Sequence, residues 1–271
     1  RARFAAEMNA ARAVQELLLP EADGRFEQLT WTSLAIPGLE IAGDLVDVRP
    51  VHGNLHVMLG DVTGKGTRAG LVMAGAQACA DALVEEGLPP KELVERLDAW
   101  AVRNTPEMCF VTLWCGRIER DGTVHYVDAG HGLALVQRAD GSIEYPEEGR
   151  RPPIGIEPMP CERTELRLEP GDALLIFSDG LIEEPGPDDP NDRYGLERVM
   201  ETVERVGVDL PEGPLVRADA ARLVAAALLK DRGIYGAAQL LAQQRPKRAD
   251  EYRAWVVTVT GAPCGPLVPH G

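Results

Sequence analysis

The chain passes from a strand pattern to a helical pattern through Gly60-Asp61-Val62-Thr63-Gly64-Lys65-Gly66-Thr67. This segment superficially resembles a phosphate-binding loop. Such a loop needs four residues between its glycines and a Ser or Thr directly after the lysine. Here three residues separate the glycines and a glycine follows Lys65, so the phosphate cradle and the magnesium-binding hydroxyl are both missing. The informative residue of the segment is therefore Asp61.

Carboxylates recur at the points where strand patterns break into Gly-rich or turn-like segments. They are Asp44, Asp61, Asp179, and either Asp250 or Glu251. Hard divalent cations prefer oxygen ligands, so this recurrence predicts a metal site.

The composition narrows the class of protein. With 271 residues and 45% apolar residues, the chain is long enough to bury a sizeable core. Its net charge of −15 disfavours a nucleic-acid partner and is easier to reconcile with a metal cofactor. The five cysteines form an odd set without a Cys-x-x-Cys pair, which favours a reducing compartment over a disulfide scaffold or zinc knuckle. With neither a membrane-length apolar run nor a signal-peptide pattern, we expect a cytoplasmic location, and the start at Arg1 suggests a fragment of a longer protein.

An N-terminal helix is predicted over residues 1–19, ended by Pro20. Apolar positions recur at spacings of four and three, which indicates either a short coiled-coil seam or an amphipathic helix that packs on its own domain. We therefore expect two parts: a linker or dimerisation helix over residues 1–20 and one domain over residues 21–271.

The rest of the chain alternates between groups of strands and groups of helices. Helices are predicted at 67–86, with Thr67 as N-cap, and at 91–103, 196–206 and 218–229. Strands are predicted at 28–34, 39–51 with an interruption at Gly43-Asp44, 54–59, 109–118, 123–128, 133–137, 142–145, 164–168, 173–177 and 254–260. This order favours an α+β sandwich of antiparallel sheets.

Several ordered motifs together resemble one family, the bacterial PP2C-like metal-dependent serine/threonine phosphatases of SpoIIE/RsbU type, in the PPM superfamily. The resemblance covers almost the whole chain. The motifs are Gln15-Glu16-Leu17-Leu18-Leu19-Pro20, Ala42-Gly43-Asp44 with Asp47, Gly60-Asp61-Val62-Thr63-Gly64-Lys65-Gly66, Met108-Cys109-Phe110-Val111-Thr112, Asp128-Ala129-Gly130-His131, Leu168-Glu169-Pro170-Gly171-Asp172, Ser178-Asp179-Gly180-Leu181 and Tyr194-Gly195-Leu196-Glu197-Arg198.

The resemblance implies a four-layer αββα sandwich with two divalent metal ions, Mn²⁺ or Mg²⁺, at one edge of the sandwich. By analogy Asp61 bridges the metals and the Val62 carbonyl oxygen is a ligand, with Asp44 and Asp179 as further ligands. Asp61 and Asp179 are the implied catalytic residues. Two such metals activate water for attack on phosphorus, so no protein nucleophile is required.

The last acidic position departs from the family pattern. The family has a paired Asp-Asp, then two small residues ending in Thr, where this chain has Asp250-Glu251-Tyr252-Arg253. Counting back from the strand selects Glu251, and a slip of one residue selects Asp250. A segment resembling an insertion, residues 229–248, precedes this position. Its basic end is either a solvated surface, a docking site for an acidic partner or a group that reaches toward the phosphate.

Other polar residues are assigned structural roles. Asp47 lies three positions after Asp44 and is expected on the opposite face of the strand. Lys65 is interpreted as part of a glycine-opened turn and His131 as a residue of a strand junction, and the alternatives are phosphate binding and proton donation. Ser178 lacks a Gly-x-Ser-x-Gly context, which sets aside a serine hydrolase. Met58, Met73 and Met108 are predicted core residues.

The sequence thus predicts a protein phosphatase acting on phosphoserine or phosphothreonine. By resemblance its substrate is a phosphorylated anti-anti-sigma protein of STAS type in a partner-switching stress or sporulation pathway. One alternative is a scaffold that keeps the fold and binds this partner without turnover, and another is a phosphohydrolase of small molecules. The N-terminal helix is expected to form a homodimer.

Overall fold

The structure, a computed structural model, describes residues 7, 10, 11, 13–15, 17–21, 23–27, 29–35, 43–64, 66–182, 193, 195–207 and 255–261. The residues described between 7 and 15 are helical. The strands are β1 Asp23–Phe26, β2 Leu29–Ala35, β3 Asp44–Val51, β4 Asn54–Val62, β5 Val111–Ile118, β6 Thr123–Ala129, β7 Ala134–Gln137, β8 Ile143–Glu144, β9 Arg150–Arg151, β10 Thr164–Arg167, β11 Ala173–Phe177 and β12 Trp255–Gly261. Beyond this N-terminal segment, the helices of the described residues are α1 Thr67–Glu85, α2 Pro90–Asn104, α3 Asp179–Ile182 and α4 Gly195–Gly207.

The strands form two sheets. One has the order β1-β2-β12-β11-β7-β8, and the other has the order β10-β6-β5-β4-β3 with β9 beside β6. All pairs are antiparallel except the short parallel pair of β6 and β9. Four of these pairs are hairpins of consecutive strands, namely β1–β2, β3–β4, β5–β6 and β7–β8, and the other pairs join strands that are separated in the sequence by other elements or by long segments.

Three apolar clusters separate four layers. The central cluster lies between the sheets and includes Leu59 and Trp114. A second cluster packs α1 and α2 against the outer face of the β3–β6 sheet, and a third packs α4 against β7 and β11. The predicted α+β sandwich with helices on both outer faces is confirmed.

Alternation along β4 sets the direction of each side chain near its end. Leu55, Val57 and Leu59 join the cluster between the sheets, whereas Met58 and Val62 join the cluster under α1 and α2. Successive side chains of a strand point to opposite faces. Asp61 therefore belongs to the face between the sheets, at the end of the strand.

Some local predictions were wrong. The N-cap of α1 is Gly66, with φ of 73°, and not Thr67, which is the first helical residue. Only Gly has ready access to this left-handed conformation. Strand β1 was not predicted; its Gly24 lies under the ring of Trp31, where a Cβ atom would be 2.0 Å from a ring carbon. The short elements β9 and α3 were also not predicted, while the helix predicted at 218–229 lies outside the described residues.

Among the described residues, none of the helices combines the length and the apolar character needed to cross a bilayer.

Candidate metal centre

Asp44 and Asp61 lie directly opposite each other on neighbouring strands. The turn at His52 and Gly53 joins β3 to β4, and the register continues from the Val51–Asn54 pair to the Asp44–Asp61 pair. Directly opposite residues of an antiparallel pair project from the same face. Asp44 is 6% exposed and Asp61 is partly buried. The structure therefore places two carboxylates side by side at the end of the sheet, on the face between the sheets.

Gly43 leaves space beside these carboxylates. A Cβ atom on Gly43 would lie 2.8 Å from the carbonyl oxygen of Val62 and 2.9 Å from Oδ1 of Asp61. The amide of Val62 donates a hydrogen bond to the carbonyl oxygen of Gly43, at 3.2 Å. The backbone directly before β3 thus approaches the Val62 carbonyl oxygen and an Asp61 carboxylate oxygen, which are both among the predicted ligands.

Hydrogen bonds fix the chain on the other side of Asp61. The hydroxyl of Thr112, its partner on β5, donates to the Asp61 carbonyl oxygen at 3.4 Å. The Thr63 hydroxyl donates to the Phe110 carbonyl oxygen at 3.1 Å and accepts from the Phe110 amide at 3.0 Å. The Thr63 amide also donates to the Phe110 carbonyl oxygen, at 3.0 Å. These contacts hold the end of β4 against the segment that enters β5.

The carboxylate pair fits a hard divalent cation. Like charges directly opposite on one sheet face repel each other, and a bound cation removes this repulsion. Mg²⁺ commonly binds through one or two carboxylates and retains several waters, so a pair with a nearby backbone carbonyl is a suitable donor set. Within the described part of the chain, no three Asp, Glu, His or Cys side chains gather closely enough to hold a metal. The two strands thus bring together a pair of candidate ligands, and the described residues do not form a complete cage.

Asp179, another predicted ligand, follows a strand of the sheet that contains β11 and β12. Asp179 is exposed and begins α3, directly after β11 and the buried Ser178. Strand β12 begins beside the end of β11, where Val256 pairs with Phe177. The chain therefore enters β12 at the end of the sheet from which it leaves for Asp179. Asp250 and Glu251 lie outside the described residues, so Asp179 and this position stay predictions.

The motif that contains His131 organises a loop. The Asp128 carboxylate accepts hydrogen bonds from the amides of His131, at 2.8 Å, and Gly132, at 3.0 Å. Burial raises the pKa of Asp128 against the effect of these bonds. Burial also lowers the pKa of His131 to about 4, against the effect of its hydrogen bond with the Phe177 backbone. His131 is therefore neutral near pH 7, which supports its structural interpretation over proton donation.

Asp47 lies on the face opposite Asp44, as predicted. Its carboxylate is 3.0 Å from Nε of Arg49. Burial nevertheless raises the pKa of Asp47 to about 6, because desolvation outweighs the attraction of Arg49. Because Asp47 lies on the other face of the strand and contacts Arg49, it is not part of the Asp44–Asp61 pair.

Several residues near the pair were missed or misassigned in the sequence. The clamp formed by Thr63 has a usable signal, a hydroxyl residue just after the strand, but its partner Phe110 is distant in sequence. The contact of Gly43 with Asp61 depends on the pairing of two strands. Met108 was predicted as core and this was wrong: its side chain is 92% exposed and its φ is 61°. Met58 and Met73 are buried as predicted.

The protein is similar to known proteins in both sequence and fold. Residues 52–232 match the family model of stage II sporulation protein E (SpoIIE). The chain is 26% identical over 179 residues to the phosphoserine phosphatase RsbU of Bacillus subtilis (strain 168), and this match covers 65% of this chain and 53% of RsbU. The chain thus spans about half the length of this curated relative.

Solved structures extend the likeness to the whole domain. The SiaA-PP2C domain of Pseudomonas aeruginosa matches with a TM-score of 0.71 and 17% identity, covering 96% of this chain and 97% of that one. The catalytic domain of the serine threonine protein phosphatase PstP, solved with two manganese ions, matches with a TM-score of 0.56 and 15% identity, covering 86% and 98%. At these identities the structures show the fold. Because the family model matches well over half of the sequence, the chain belongs to the SpoIIE family of bacterial PP2C-like phosphatase domains.

Proposed function

We propose that this protein is a metal-dependent phosphatase that hydrolyses phosphoserine or phosphothreonine in a protein substrate. The observation that carries the proposal is the pair of carboxylates, Asp44 and Asp61, placed directly opposite each other beside Gly43. A site of this kind suits an ester whose hydrolysis develops negative charge on oxygen. Membership of the SpoIIE family and the likeness to RsbU support the same activity.

Each predicted residue has a distinct task in this proposal. When bound, two Mn²⁺ or Mg²⁺ ions supply an activated water and neutralise charge on the phosphoryl oxygens. Asp61, Asp44 and the Val62 carbonyl oxygen would hold the ions from the β3–β4 hairpin. Asp179 would contribute from the end of β11, with Asp250 or Glu251 as the remaining ligand. Gly43 keeps the space beside Asp61 free of a side chain.

We further propose that the substrate is a phosphorylated anti-anti-sigma protein of STAS type. Removal of its phosphate would free it to bind an anti-sigma kinase, in a partner-switching pathway of the cytoplasm. The likeness to the phosphoserine phosphatase RsbU supports a phosphoserine substrate.

The decisive experiment compares Asp61→Asn with Asp47→Asn. Phosphate release from a phosphorylated STAS-type protein is measured with and without Mn²⁺. We expect Asp61→Asn to lower turnover more than about 100-fold and to weaken Mn²⁺ binding measured by calorimetry, because it removes a shared anionic ligand. Asp47→Asn removes a carboxylate of the same strand pair on the other face and should retain Mn²⁺ binding and turnover.

Two outcomes would contradict the proposal: equal loss in both variants, or turnover that does not depend on a divalent metal. Phosphoprotein binding without turnover at saturating Mn²⁺ would favour the scaffold alternative. In that case Glu251→Asp tests whether the departure from the family pattern is responsible, since restored turnover would identify an impaired enzyme.

A further inference from the structure

Large apolar side chains are exposed on segments that are linked to the end of β4. Among the described residues, six large hydrophobic side chains are exposed, and three of them belong to the N-terminal segment. The other three are Leu71 at 70% exposure, Met108 at 92% and Ile156 at 56%. We call these three residues the apolar rim.

Contacts between backbone segments place the rim residues near one another. Arg68 on α1 donates from Nη2 to the Glu107 carbonyl oxygen at 3.4 Å, directly before Met108. Leu71 lies one turn further along the same face of α1. On the other side, a Cβ atom on Gly155 would lie 3.3 Å from the Cys109 carbonyl oxygen. Ile156 therefore follows a residue that contacts the segment of Met108.

The rim also borders the proposed catalytic site. Residue 110, two positions after Met108, makes three hydrogen bonds with Thr63, and Thr63 is two positions after Asp61. Ile154 exchanges two backbone hydrogen bonds with Val111 in the same segment, at 2.9 and 3.0 Å. The two loops that carry Met108 and Ile156 are thus fixed to the strand end that carries Asp61.

Met108 is held outward at an energetic cost. Its φ of 61° is a left-handed conformation that non-glycine residues rarely adopt, and its apolar side chain is almost fully in water. A turn in which the Cys109 amide donates to the Pro106 carbonyl oxygen, at 3.0 Å, maintains this conformation. Strained residues of this kind persist where surrounding structure holds them, and they cluster at ligand clamps. The combination indicates a surface that is covered when a partner binds.

We propose that the apolar rim is the docking surface for the folded protein substrate, which places an apolar patch of its own on the rim while its phosphorylated residue enters the site. This inference rests on the proposed function. The occupant is a phosphoprotein and not a small phosphate ester, because the rim lies outside the carboxylate pair and extends across α1 and two loops. The surface formed by three large apolar side chains is larger than a single phosphorylated residue could cover. Its burial therefore requires an additional surface on a partner protein.

The negative net charge makes short-range contacts necessary for binding this occupant. The net charge of −15 repels a phosphoprotein at long range, so its affinity must come from short-range contacts and from the metals. The rim supplies apolar contacts, which do not depend on charge. Arg68, three positions before Leu71, places one exposed cation at the edge of the rim, and the exposed Glu107 and Glu157 lie next to Met108 and Ile156 in the sequence.

The test compares substrates of different size on a variant of the rim. The variant is Leu71→Gln with Met108→Asn and Ile156→Thr; Asn tolerates the left-handed backbone of position 108. The substrates are the phosphorylated STAS-type protein, a short phosphoserine peptide taken from it, and an aryl phosphate, all with Mn²⁺. We expect kcat/KM for the folded protein to fall about 10-fold to 100-fold, through KM, while the two small substrates change less than about twofold.

A matched control lies on the same helix. Ala82 is exposed on α1, about 16 Å along the helix axis from Leu71. Ala82→Gln should leave kcat/KM for all three substrates unchanged. Thermal unfolding of each variant identifies a loss that is due to misfolding, since misfolding would lower hydrolysis of the aryl phosphate as well.

The outcomes separate this inference from the proposed function. Unchanged kcat/KM for the folded protein would overturn the rim as a docking surface and leave the phosphatase intact. Loss of self-association without a change in KM would also overturn it, and would assign the rim to a contact between copies of this chain. If the unaltered protein hydrolyses no phosphate ester, the proposed function fails, and binding of the phosphoprotein by calorimetry then tests the rim: weaker binding by the variant supports it and equal binding overturns it.

Discussion

Gly43 shows how one absent side chain shapes the candidate metal centre. Its Cα lies so close to the end of β4 that a methyl group would meet the carbonyl oxygen of Val62 and a carboxylate oxygen of Asp61. Both atoms are proposed ligands. The sequence alone singled out Asp61 by its position after an apolar run, but the role of Gly43 depends on the pairing of two strands.

Gly43→Ala should therefore weaken metal binding more than it harms folding. The added methyl group must displace backbone or carboxylate, which costs about 1–3 kcal/mol of stability for overpacking of this kind. Calorimetric titration with Mn²⁺ should show a lower affinity, while thermal unfolding without metal should show a folded protein with a lower Tm. An unchanged affinity for Mn²⁺ would mean that the approach of Gly43 to Asp61 is irrelevant to the metal.

His56 makes the stability of the protein depend on pH. It is buried between Arg49 and Arg117, which are its partners on the neighbouring strands, and Nε2 has no hydrogen-bond partner. Burial, followed by the two arginines, lowers the pKa of His56 to about 3. The unfolded chain binds this proton near pH 6.5 and the folded protein does not. The contribution of His56 is therefore present above about pH 6.5 and is lost as the pH falls toward 3.

The variant His56→Leu should bind about one proton fewer on unfolding near pH 5. The measurement is the free energy of unfolding in urea at a series of pH values, whose slope gives the proton uptake. His131 contributes with the same sign, and Asp47 with the opposite sign, since its pKa is raised to about 6 in the folded protein. Both remain in the variant, so the comparison isolates His56. An identical slope in the two proteins would show that His56 is protonated in the folded state.

At the scale of secondary structure, pattern and turn chemistry predicted most elements. The hairpin of β3 and β4 is the clearest case, because the turn at His52 and Gly53 was recognised and a two-residue turn fixes the register of both strands. That register places Asp44 opposite Asp61. Strand β1 was not predicted although it pairs with the next strand, because Asp23, Gly24 and Arg25 carry little strand propensity, and the two-residue β9 depends on its pairing with the more distant β6.

Helix α2 is tied to the loop before β10 by a buried ion pair. The Asp98 carboxylate accepts from Arg151 Nη2 at 2.5 Å, from the Gly155 amide at 2.9 Å and from the Met159 amide at 3.2 Å. Asp98 is fully buried. One carboxylate therefore accepts hydrogen bonds from the Arg151 guanidinium and from two backbone amides of the loop that also carries Ile156.

Asp98→Ala should lower the free energy of unfolding by about 3–5 kcal/mol, because it leaves the Arg151 charge and two amides buried without their partner. Denaturation in urea measures this loss. Glu169→Ala serves as a control, since it breaks an ion pair with Arg167 in which both side chains are largely exposed, and it should leave stability nearly unchanged. Comparable losses in the two variants would show that burial of the Asp98 pair is not what stabilises the loop.

At the scale of the whole molecule, the sequence predicted the layers more readily than the site. Alternation of strand and helix groups was enough for an α+β sandwich. The proposed approach of Asp179 to the Asp44–Asp61 pair depends on how two sheets pack, which no spacing in the sequence reports. The position of each carboxylate after a strand pattern identified it as a candidate ligand and the family resemblance assigned its role, but only the placement of the pair within one hairpin follows from register.

The N-terminal segment bears on how two copies of the molecule would associate. Val14 and Leu17 are 62% and 82% exposed, and Leu18 is 38% exposed. Leu19, in contrast, is partly buried against the cluster between the sheets. The segment is thus attached to the domain at one end and presents apolar side chains to solvent next to it, which supports the proposal that it forms a homodimer.

The triple variant Val14→Gln, Leu17→Gln and Leu18→Gln should shift the protein from dimer to monomer and change its Mn²⁺-dependent phosphate release at the same time. The reason is that a second copy would bury these exposed side chains, whereas Leu19 continues to attach the segment to the core. Sedimentation velocity and phosphate release are measured on the same samples, with Ala10→Gln as a control on the same helix at another exposed position. A monomeric unaltered protein, or a triple variant with unchanged mass and activity, would contradict the proposal. A change of mass without a change of activity would retain the dimer but separate it from control of the catalytic domain.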